Sequence, residues 1–419
     1  KLATEQNLIS NSSILKTTNI NINSESYITT HKQLPHGFQR SMWYDGTRYW
    51  RSWYDFDNSR IVFEYTTDKE NWTENVSARL LVNAYNDDFL PSMKWADYSL
   101  DHKTGYLYII YKNGDDLEAR KASSYPSTGF SWGNAATVFD GSVDGGVYNY
   151  ANICDRKGNK LAAAGVLTIT SSGGRQVEVK FANAANSVVS WGSATTVSNT
   201  GLGKSTYVSL RNAVDGENDG YVVWNESNTL YGRYYNGVWG DTETITTICE
   251  GIDTNYRNYW ALEHMTNTKL TQVVVYKNNV NKHLCFRRNN DVSIADNWDA
   301  EIQVSTDAGY NYLTIAESGI GLECMYIGAL SGQHPDRIVN IFHDCSPYDN
   351  WHKHEYPNHN ATNLTIIDES PGAIAFTYYC QTHKQINTVF FVKAFDLYSD
   401  MQIGWPGKAI NIGLSLIHI

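Results

Sequence analysis

Tryptophan recurs through this chain at a nearly constant interval, and that spacing constrains the fold more than any single motif. Trp72, Trp132, Trp191, Trp239, Trp298, Trp351 and Trp405 follow one another at intervals of 48 to 60 residues, in the contexts ENWTE, FSWGN, VSWGS, GVWGD, DNWDA, DNWHK and IGWPG. A self-similar period of this length marks a repeat architecture, in which no unit buries its apolar faces alone and each stacks on its neighbours. Before each Trp lie three short runs in the same order. The first ends in an acidic turn, at Asp45, Asp97, Asp155, Asp215, Glu263, Glu317 and the pair Asp368-Glu369. The second is aromatic and β-branched, as in RYWRSWYD, YLYIIYK, TQVVVYK and AIAFTYYC. The third alternates, as in RIVFEY, VEVKFA, HLCFRR and NTVFFV, and a fourth follows the Trp, as in ARLLV, ATVF, ATTV, TITTI and EIQV. Period-two alternation between Gly, Asn, Asp and Ser clusters makes these runs strands. No segment sustains a helical period for the length a helix needs.

Four strands per unit, repeated along the chain, predict an all-β protein: a single β-propeller of about seven four-stranded antiparallel blades, with six as the alternative count. On this reading residues 36–413 form the propeller. Residues 1–35 are an N-terminal extension or a ring-closing strand, and residues 414–419 (LSLIHI) are a non-native tail of the kind a sequencing adapter leaves in metagenomic data. The chain begins with Lys1 rather than Met. The expectation is therefore a module of a longer protein. The 13% aromatic content has a structural explanation before any ligand is invoked, because stacked blades are filled by large side chains.

Charge excludes several function classes. A net charge of −11 argues against sequence-independent nucleic-acid binding and against an anionic membrane surface, both of which need a basic footprint. No apolar run approaches the roughly 20 residues of a membrane-spanning helix. The aromatic and β-branched content is far above that of disordered chains.

The turn before the first repeated Trp reads Thr66-Thr67-Asp68-Lys69-Glu70-Asn71-Trp72. It resembles the Asp box of the sialidase-like (BNR-repeat) β-propellers, Ser/Thr-x-Asp-x-Gly-x-Thr-Trp, but lacks the Gly and is one residue shorter. The other units keep the Trp and little else of the box. In period and strand order the likeness covers almost the whole chain. It implies the propeller fold, and an Asp that accepts backbone N–H bonds in a turn while the Trp packs between strands. Such a box is structural, and the fold does not fix the chemistry. If the family chemistry were kept, the resemblance would imply three arginines on a substrate carboxylate, a Tyr–Glu nucleophile pair and an Asp acid/base. The first-strand arginines are Arg40, Arg211 and Arg257, unevenly placed along their strands, and no Glu is evident beside a loop-face Tyr.

In propellers the ligand face is normally built by the segments joining successive blades, with the turns between second and third strands. Here those joining segments are 31–40, 83–91, 140–152, 200–207, 250–260, 306–313 and 357–363. They single out His36, Arg40, Asp87, Asp88, Tyr148, Tyr150, Tyr207, Arg257, Tyr259, Tyr310, Tyr312 and His359 as candidate ligand-binding residues. Tyr faces stack on sugar C–H faces, while Asp, Asn and Arg hydrogen-bond hydroxyls and carboxylates. The competing reading is that these tyrosines pack against adjacent blades. The leading functional expectation is a secreted or cell-surface propeller that binds glycans, or a surface partner, through this face. A carbohydrate-active enzyme is the rival: a glycosidase, or a lyase using His31, His36, Arg40, Arg257, Tyr259 and His359. A purely structural or adhesive module is the third reading.

Other constellations point less far. The segment 343–360 gathers His343, His352, His354, His359 and Cys345, but its spacing matches no structural zinc pattern, and no metal or other cofactor is expected from it. Asn86-Asp87-Asp88 and the run Asp140 to Asp144 offer oxygen ligands of the kind Ca2+ takes, although turn chemistry explains them equally. Six cysteines without a CxxC allow up to three bridges or none. Sequons at Asn11, Asn71, Asn75, Asn225, Asn360 and Asn363 lean towards an extracellular address. The fingerprints of P-loop, dinucleotide-binding, α/β-hydrolase and zincin enzymes are absent.

Overall fold

The computed structural model describes most of residues 41–392, together with residues 32–33. Outside the description lie 1–31, 34–40 and 393–419, the segments 83–91, 97–105, 123–128, 199–207, 213–218, 237–244, 254–258, 265–270, 318–324, 331–336, 344–350, 358–360, 369–372 and 381–384, and residues 56, 157–159, 185–186, 295 and 307–308. The regular structure of the described residues is nearly all strand, in the order the sequence predicts. Unit one runs through strands Met42–Tyr44, Tyr49–Asp55 and Arg60–Thr66, with Thr73–Glu74 and Leu80–Leu81 both pairing on the last of these, and unit two through Ser92–Ala96, Tyr106–Asn113, Asp116–Lys121 and Ala136–Phe139. Unit three has Gly146–Arg156, Lys160–Ile169, Arg175–Phe181 and Thr195–Thr196, and unit four Val208–Asn212, Asp219–Glu226, Thr229–Asn236 and Thr246–Glu250. Unit five follows with Trp260–His264, Gln272–Lys277, Leu284–Asn289 and Ile302–Ser305, and unit six with Asn311–Glu317, Met325–Leu330, Arg337–His343 and Trp351–Pro357. The last group is Ala361–Asp368, Ala373–Cys380 and Gln385–Val392.

Units two to six are separate four-stranded antiparallel sheets. The first and last groups are joined in one nine-stranded sheet, because Met42 and Trp43 pair in parallel with Ile367 and Asp368. Among the described residues there are six sheets and seven strand groups. Each inner strand lies against the inner strand of the next unit, and the last lies against the first, so the inner strands form a closed circuit. This is the arrangement of a β-propeller. Lys32 and Gln33 pair with Asp55 and Tyr54, inside unit one.

The recurring tryptophans are what hold neighbouring units together. Trp132 of unit two packs on Phe63 of unit one at 5.4 Å and donates from its indole nitrogen to the Ala78 carbonyl at 2.9 Å. Trp298 packs on Tyr221 of unit four at 6.3 Å, and Trp351 meets Phe286 of unit five edge-on at 5.4 Å. Trp72 of unit one stacks on Phe390 of the last group at 6.4 Å, so the same contact closes the ring. Aromatic pairs of this kind add about 0.5–1.5 kcal/mol each beyond the area they bury.

The junction of the first and last groups carries a charge as well. Arg51 is fully buried, with Nε at 2.7 Å from Glu64 Oε2, Nη1 at 2.9 Å from Thr388 Oγ1, and its guanidinium 4.0 Å from the centre of the Trp72 ring. Thr388 Oγ1 in turn lies 2.7 Å from Thr377 Oγ1. Burial pushes the Arg51 guanidinium down from its ordinary value, and the Glu64 carboxylate pulls it back up.

The Asp68 turn works as the sequence implies. Its carboxylate accepts from the backbone N–H groups of Glu70 and Asn71, both at 2.8 Å, from Thr66 Oγ1 at 2.8 Å and from Asn71 Nδ2 at 2.7 Å. These donors hold the Asp68 carboxyl far below the usual carboxylate range.

Candidate loop-face site between units five and six

The tyrosines that the sequence placed on an open rim are largely packing groups. Tyr148, Tyr150, Tyr259 and Tyr310 are 0%, 5%, 3% and 2% exposed, so none presents a stacking face to a ligand as it stands. Tyr148 and Tyr310 lie in the apolar clusters between units two and three and between units five and six, and Tyr150 in that between units three and four. Their burial follows from a shared distortion. Tyr148-Asn149-Tyr150 and Tyr310-Asn311-Tyr312 both begin inner strands, and strand pairing slips between Asn149 and Asn152 and again between Asn311 and Thr314. Tyr150 and Tyr312 sit at φ +55° and +54°, a left-handed conformation that bulky residues rarely adopt. The turn this imposes drives the first Tyr of each triplet into the core and leaves Tyr312 half-buried. His36, Arg40, Asp87, Asp88, Tyr207, Arg257 and His359 lie outside the described residues.

One expectation is corrected. A Glu does stand beside a loop-face Tyr: the Tyr148 hydroxyl is 2.5 Å from Glu178 Oε2 and 2.8 Å from Asp144 Oδ2. Gly165 lies under this contact: a Cβ there would clash with a Leu117 methyl at 2.6 Å, while the Tyr148 ring would be at ordinary contact distance, 3.4 Å. Burial, then the two carboxylates, push the Tyr148 hydroxyl far above its ordinary value. With the ring fully buried and the phenol held protonated, this trio is not a nucleophile open to substrate. Tyr111 with Glu118, and Tyr276 with Glu301, repeat the pairing elsewhere, which marks it as a packing device.

The Asp140–Asp144 run is also accounted for by turn chemistry. Asp140 caps a four-residue helix, Gly141–Asp144, by accepting from the Val143 N–H at 3.0 Å, and the helix ends in Gly145 at φ +72°. Among the described residues, no three His, Cys, Asp or Glu side chains gather where they could hold a metal ion. Cys154, Cys249 and Cys285 are buried thiols outside any disulfide, which leaves at most one bridge among the other three; burial pushes the Cys249 thiol up to about 12. Of the sequons, Asn71 is exposed, whereas Asn75 and Asn225 are 7% and 1% exposed and their amides donate to the Phe130 and Ser227 carbonyls.

What the structure does assemble on this face is a group of charges that the sequence did not single out. Lys112, at the end of the second strand of unit two, is buried and donates to Asn149 Oδ1 at 2.6 Å, linking units two and three. Lys277 occupies the same place in unit five and donates to Asn311 Oδ1 at 3.2 Å, linking units five and six. Around Lys277 the second copy is elaborated. The segment leaving unit four runs beside the 277–283 turn, with the Asp253 N–H donating to the Lys277 carbonyl at 2.8 Å and the Asn279 N–H to Gly251 at 2.7 Å. This aims the buried Asp253 carboxylate at two ammonium groups, Lys277 and Lys282, each 3.3 Å away. The Lys277 ammonium also lies 5.5 Å from the centre of the Tyr259 ring. Burial pushes Lys277 down from its ordinary value, Asp253 pulls it up, and Lys282 pushes it down again. Lys277 and Asp253 have side chains 5% and 3% exposed, whereas Lys282 is 37% exposed. Two ammonium groups flank the Asp253 carboxylate, and of the two Lys282 reaches the surface. The exposed Lys282 ammonium can accept an anion, with Asn311 beside Lys277 at the junction.

No family model matches the sequence, and no curated protein matches it. Solved structures do. An ulvan lyase from a new family of polysaccharide lyase, bound to -[GlcA(1-4)Rha3S]-, aligns over 87% of this chain and 93% of its own, at 8% identity and TM-score 0.56. An α-L-arabinofuranosidase from Fusarium graminearum aligns over 91% and 97% at 10% identity and TM-score 0.45. A Hadza microbial sialidase aligns over 68% of this chain at 7% identity and TM-score 0.45, and the chain spans 63% of its length. The likeness to the lyase shows a shared fold. The chain is an all-β propeller.

Proposed function

We propose that this propeller binds glycans through its loop face and that the junction of units five and six takes a carboxylated sugar. The observation that carries the reading is the Asp253 carboxylate shared by Lys277 and Lys282, with Tyr259 and Asn311 beside them. An exposed cation held on a buried anchor stands out in a chain of net charge −11. A carboxylate placed on Lys282 gains a charge-assisted hydrogen bond from a group already positioned, so little side-chain order is lost on binding. The uronate-containing ligand of the ulvan lyase, a protein of the same fold, agrees with this choice. We place the protein outside the cell, where such glycans are displayed; fractionation of cells expressing the gene checks that address.

The test is a panel of uronate-containing, sialylated and neutral oligosaccharides, assayed for binding and for turnover. The expected result is binding of acidic members, weakened by added salt, and a loss of about tenfold in Lys282→Glu, equivalent to about 1.4 kcal/mol. Equal binding of neutral and acidic sugars, or a Lys282→Glu variant that binds as wild type, refutes the reading. Binding without turnover is expected, because the Tyr148 trio is sealed and the Lys277 ammonium is engaged on both sides. Turnover would shift the assignment to a carbohydrate-active enzyme.

A further inference from the structure

A second feature lies away from the loop-face charges, on the outer part of the seam between units five and six. The outermost strand of unit five, Ile302–Ser305, and the outermost strand of unit six, Trp351–Pro357, leave a cleft of about 390 Å³ between them. Its volume falls at the lower end of the range for small-ligand sites, which is about 300–1,000 Å³. Val304 and Ile341, both buried, form an apolar floor. Trp351 forms one wall. Its ring is fixed edge-on against Phe286 at 60° and is only half-buried, so part of the indole stays reachable from the cleft.

Polar groups complete the other walls. Lys353, two residues from Trp351 and so on the same side of its strand, brings an ammonium group to the cleft and is exposed. Opposite it lie Gln303, Ser305 and Thr306 of unit five. Two of these are held in place from behind: Gln303 Oε1 lies 3.0 Å from His283 Nδ1, and Ser305 Oγ lies 3.2 Å from the Tyr310 hydroxyl. An indole, one cation, one amide and two hydroxyls around an apolar floor match a single ring that is apolar on one side and carries hydroxyls and a carboxylate on its edge.

We propose that this cleft is a second, independent carbohydrate site, which takes one acidic monosaccharide at the end of a glycan. The indole receives the C–H face of the ring, Lys353 the carboxylate, and Gln303, Ser305 and Thr306 the hydroxyls. The assignment does not depend on the loop-face site, since none of its ligand-facing groups belongs to the Asp253, Lys277 and Lys282 cluster.

The experiment is calorimetric titration of the whole chain with methyl β-glucuronide and methyl β-glucoside. Wild type is expected to bind the glucuronide more tightly than the glucoside. Thr306→Arg fills the cleft from an exposed position and should remove one class of site for both sugars. Lys353→Glu should reverse the preference for the glucuronide, a change of about tenfold or more. Lys282→Glu, on the loop face, should leave the cleft's stoichiometry and affinity unchanged. Trp351→Ala is the obvious variant but removes an inter-unit contact and can fail to fold, so the two exposed substitutions carry the test. The proposal is overturned if Thr306→Arg leaves stoichiometry and affinity as in wild type, or if Lys282→Glu alone abolishes all binding. Failure of the loop-face reading looks different: Lys282→Glu then changes nothing while Thr306→Arg still removes a site.

Discussion

The ring is closed by a buried charge, and neutralising Glu64 should expose how much depends on it. Arg51 reaches from unit one into the last strand group, with no exposed surface, and Glu64 is the carboxylate on its guanidinium at 2.7 Å. In Glu64→Gln the hydrogen bond to Nε can survive through the amide oxygen, but the compensating charge is gone. Stranding one member of a buried pair costs about 3–5 kcal/mol, and the retained hydrogen bond, Thr388 and the Trp72 face place this case near ~3 kcal/mol. Unfolding entropy of about 2.1 cal/mol/K per residue gives ~0.9 kcal/mol/K for a chain of this size, so the midpoint should fall by ~3–4 °C. Differential scanning calorimetry at low and high salt is the assay. Because the pair is buried, the loss should hardly change with salt, unlike that of a surface ion pair. Replacing both partners, Arg51→Met with Glu64→Leu, should return the midpoint to within about 1–2 °C of wild type, since a well-packed apolar pair is often neutral relative to a buried ion pair. A Glu64→Gln midpoint within about 1 °C of wild type, or a double variant worse than the single one, would refute the reasoning.

Two further outcomes follow from local geometry. Asp68 is held by its donors far below the ordinary carboxylate range, so its stabilising contribution is complete above the unfolded value near ~4 and is lost as pH falls through the lower folded value. Wild type minus Asp68→Asn stability, measured by urea titration, should therefore shrink steadily from about pH 5 towards pH 2, and a difference that grows on acidification would contradict it. At Gly232 an added Cβ would lie 2.0 Å from the Tyr221 hydroxyl and 2.6 Å from its ring, and Tyr221 is buried. Gly232→Ala should then destabilise by about 1–3 kcal/mol, with part of the loss recovered by Tyr221→Phe.

The strands were legible because period-two alternation and the Trp interval are local signals that packing reinforces. Trp72, Trp132, Trp298 and Trp351 all do what their spacing implies, and each joins its unit to the one before. The candidate site was less legible. Tyr148 and Tyr310 read as an open rim, yet whether such a residue faces the channel or the neighbouring unit is decided by the bulge behind it and the left-handed turn at Tyr150 and Tyr312. Neither is visible as a pattern of residue types. Asp253, Lys277 and Lys282 went unremarked because single lysines and aspartates in turns are ordinary. A signal was present nonetheless: Tyr-Lys-Asn at 111–113 and 276–278 is followed by Tyr-Asn-Tyr at 148–150 and 310–312. The Lys-to-Asn separations of 37 and 34 residues are the two inter-unit hydrogen bonds of the structure.

That duplication also supplies a control within one molecule. Lys112 and Lys277 occupy equivalent places, are each 4% exposed, and each donates to an Asn in the first part of the next inner strand. Around Lys277 stand the Asp253 carboxylate and its second cation, Lys282. If the latch were the whole role of both lysines, replacing either by Met should cost stability alike and leave ligand affinity alone. If the charge of this cluster is what recognises an anion, the two variants must part company. Lys112→Met should lower stability by about 1–2 kcal/mol, through the lost hydrogen bond and an orphaned Asn149, and should bind acidic oligosaccharides as wild type does. Lys277→Met removes one of the two ammonium groups on Asp253, so the positive charge of the cluster falls by one. Its affinity for acidic oligosaccharides should fall by about tenfold while neutral ligands are unaffected. Equal affinities in the two variants, measured side by side by calorimetry, would return Lys277 to the standing of Lys112 and make the junction a latch and nothing more.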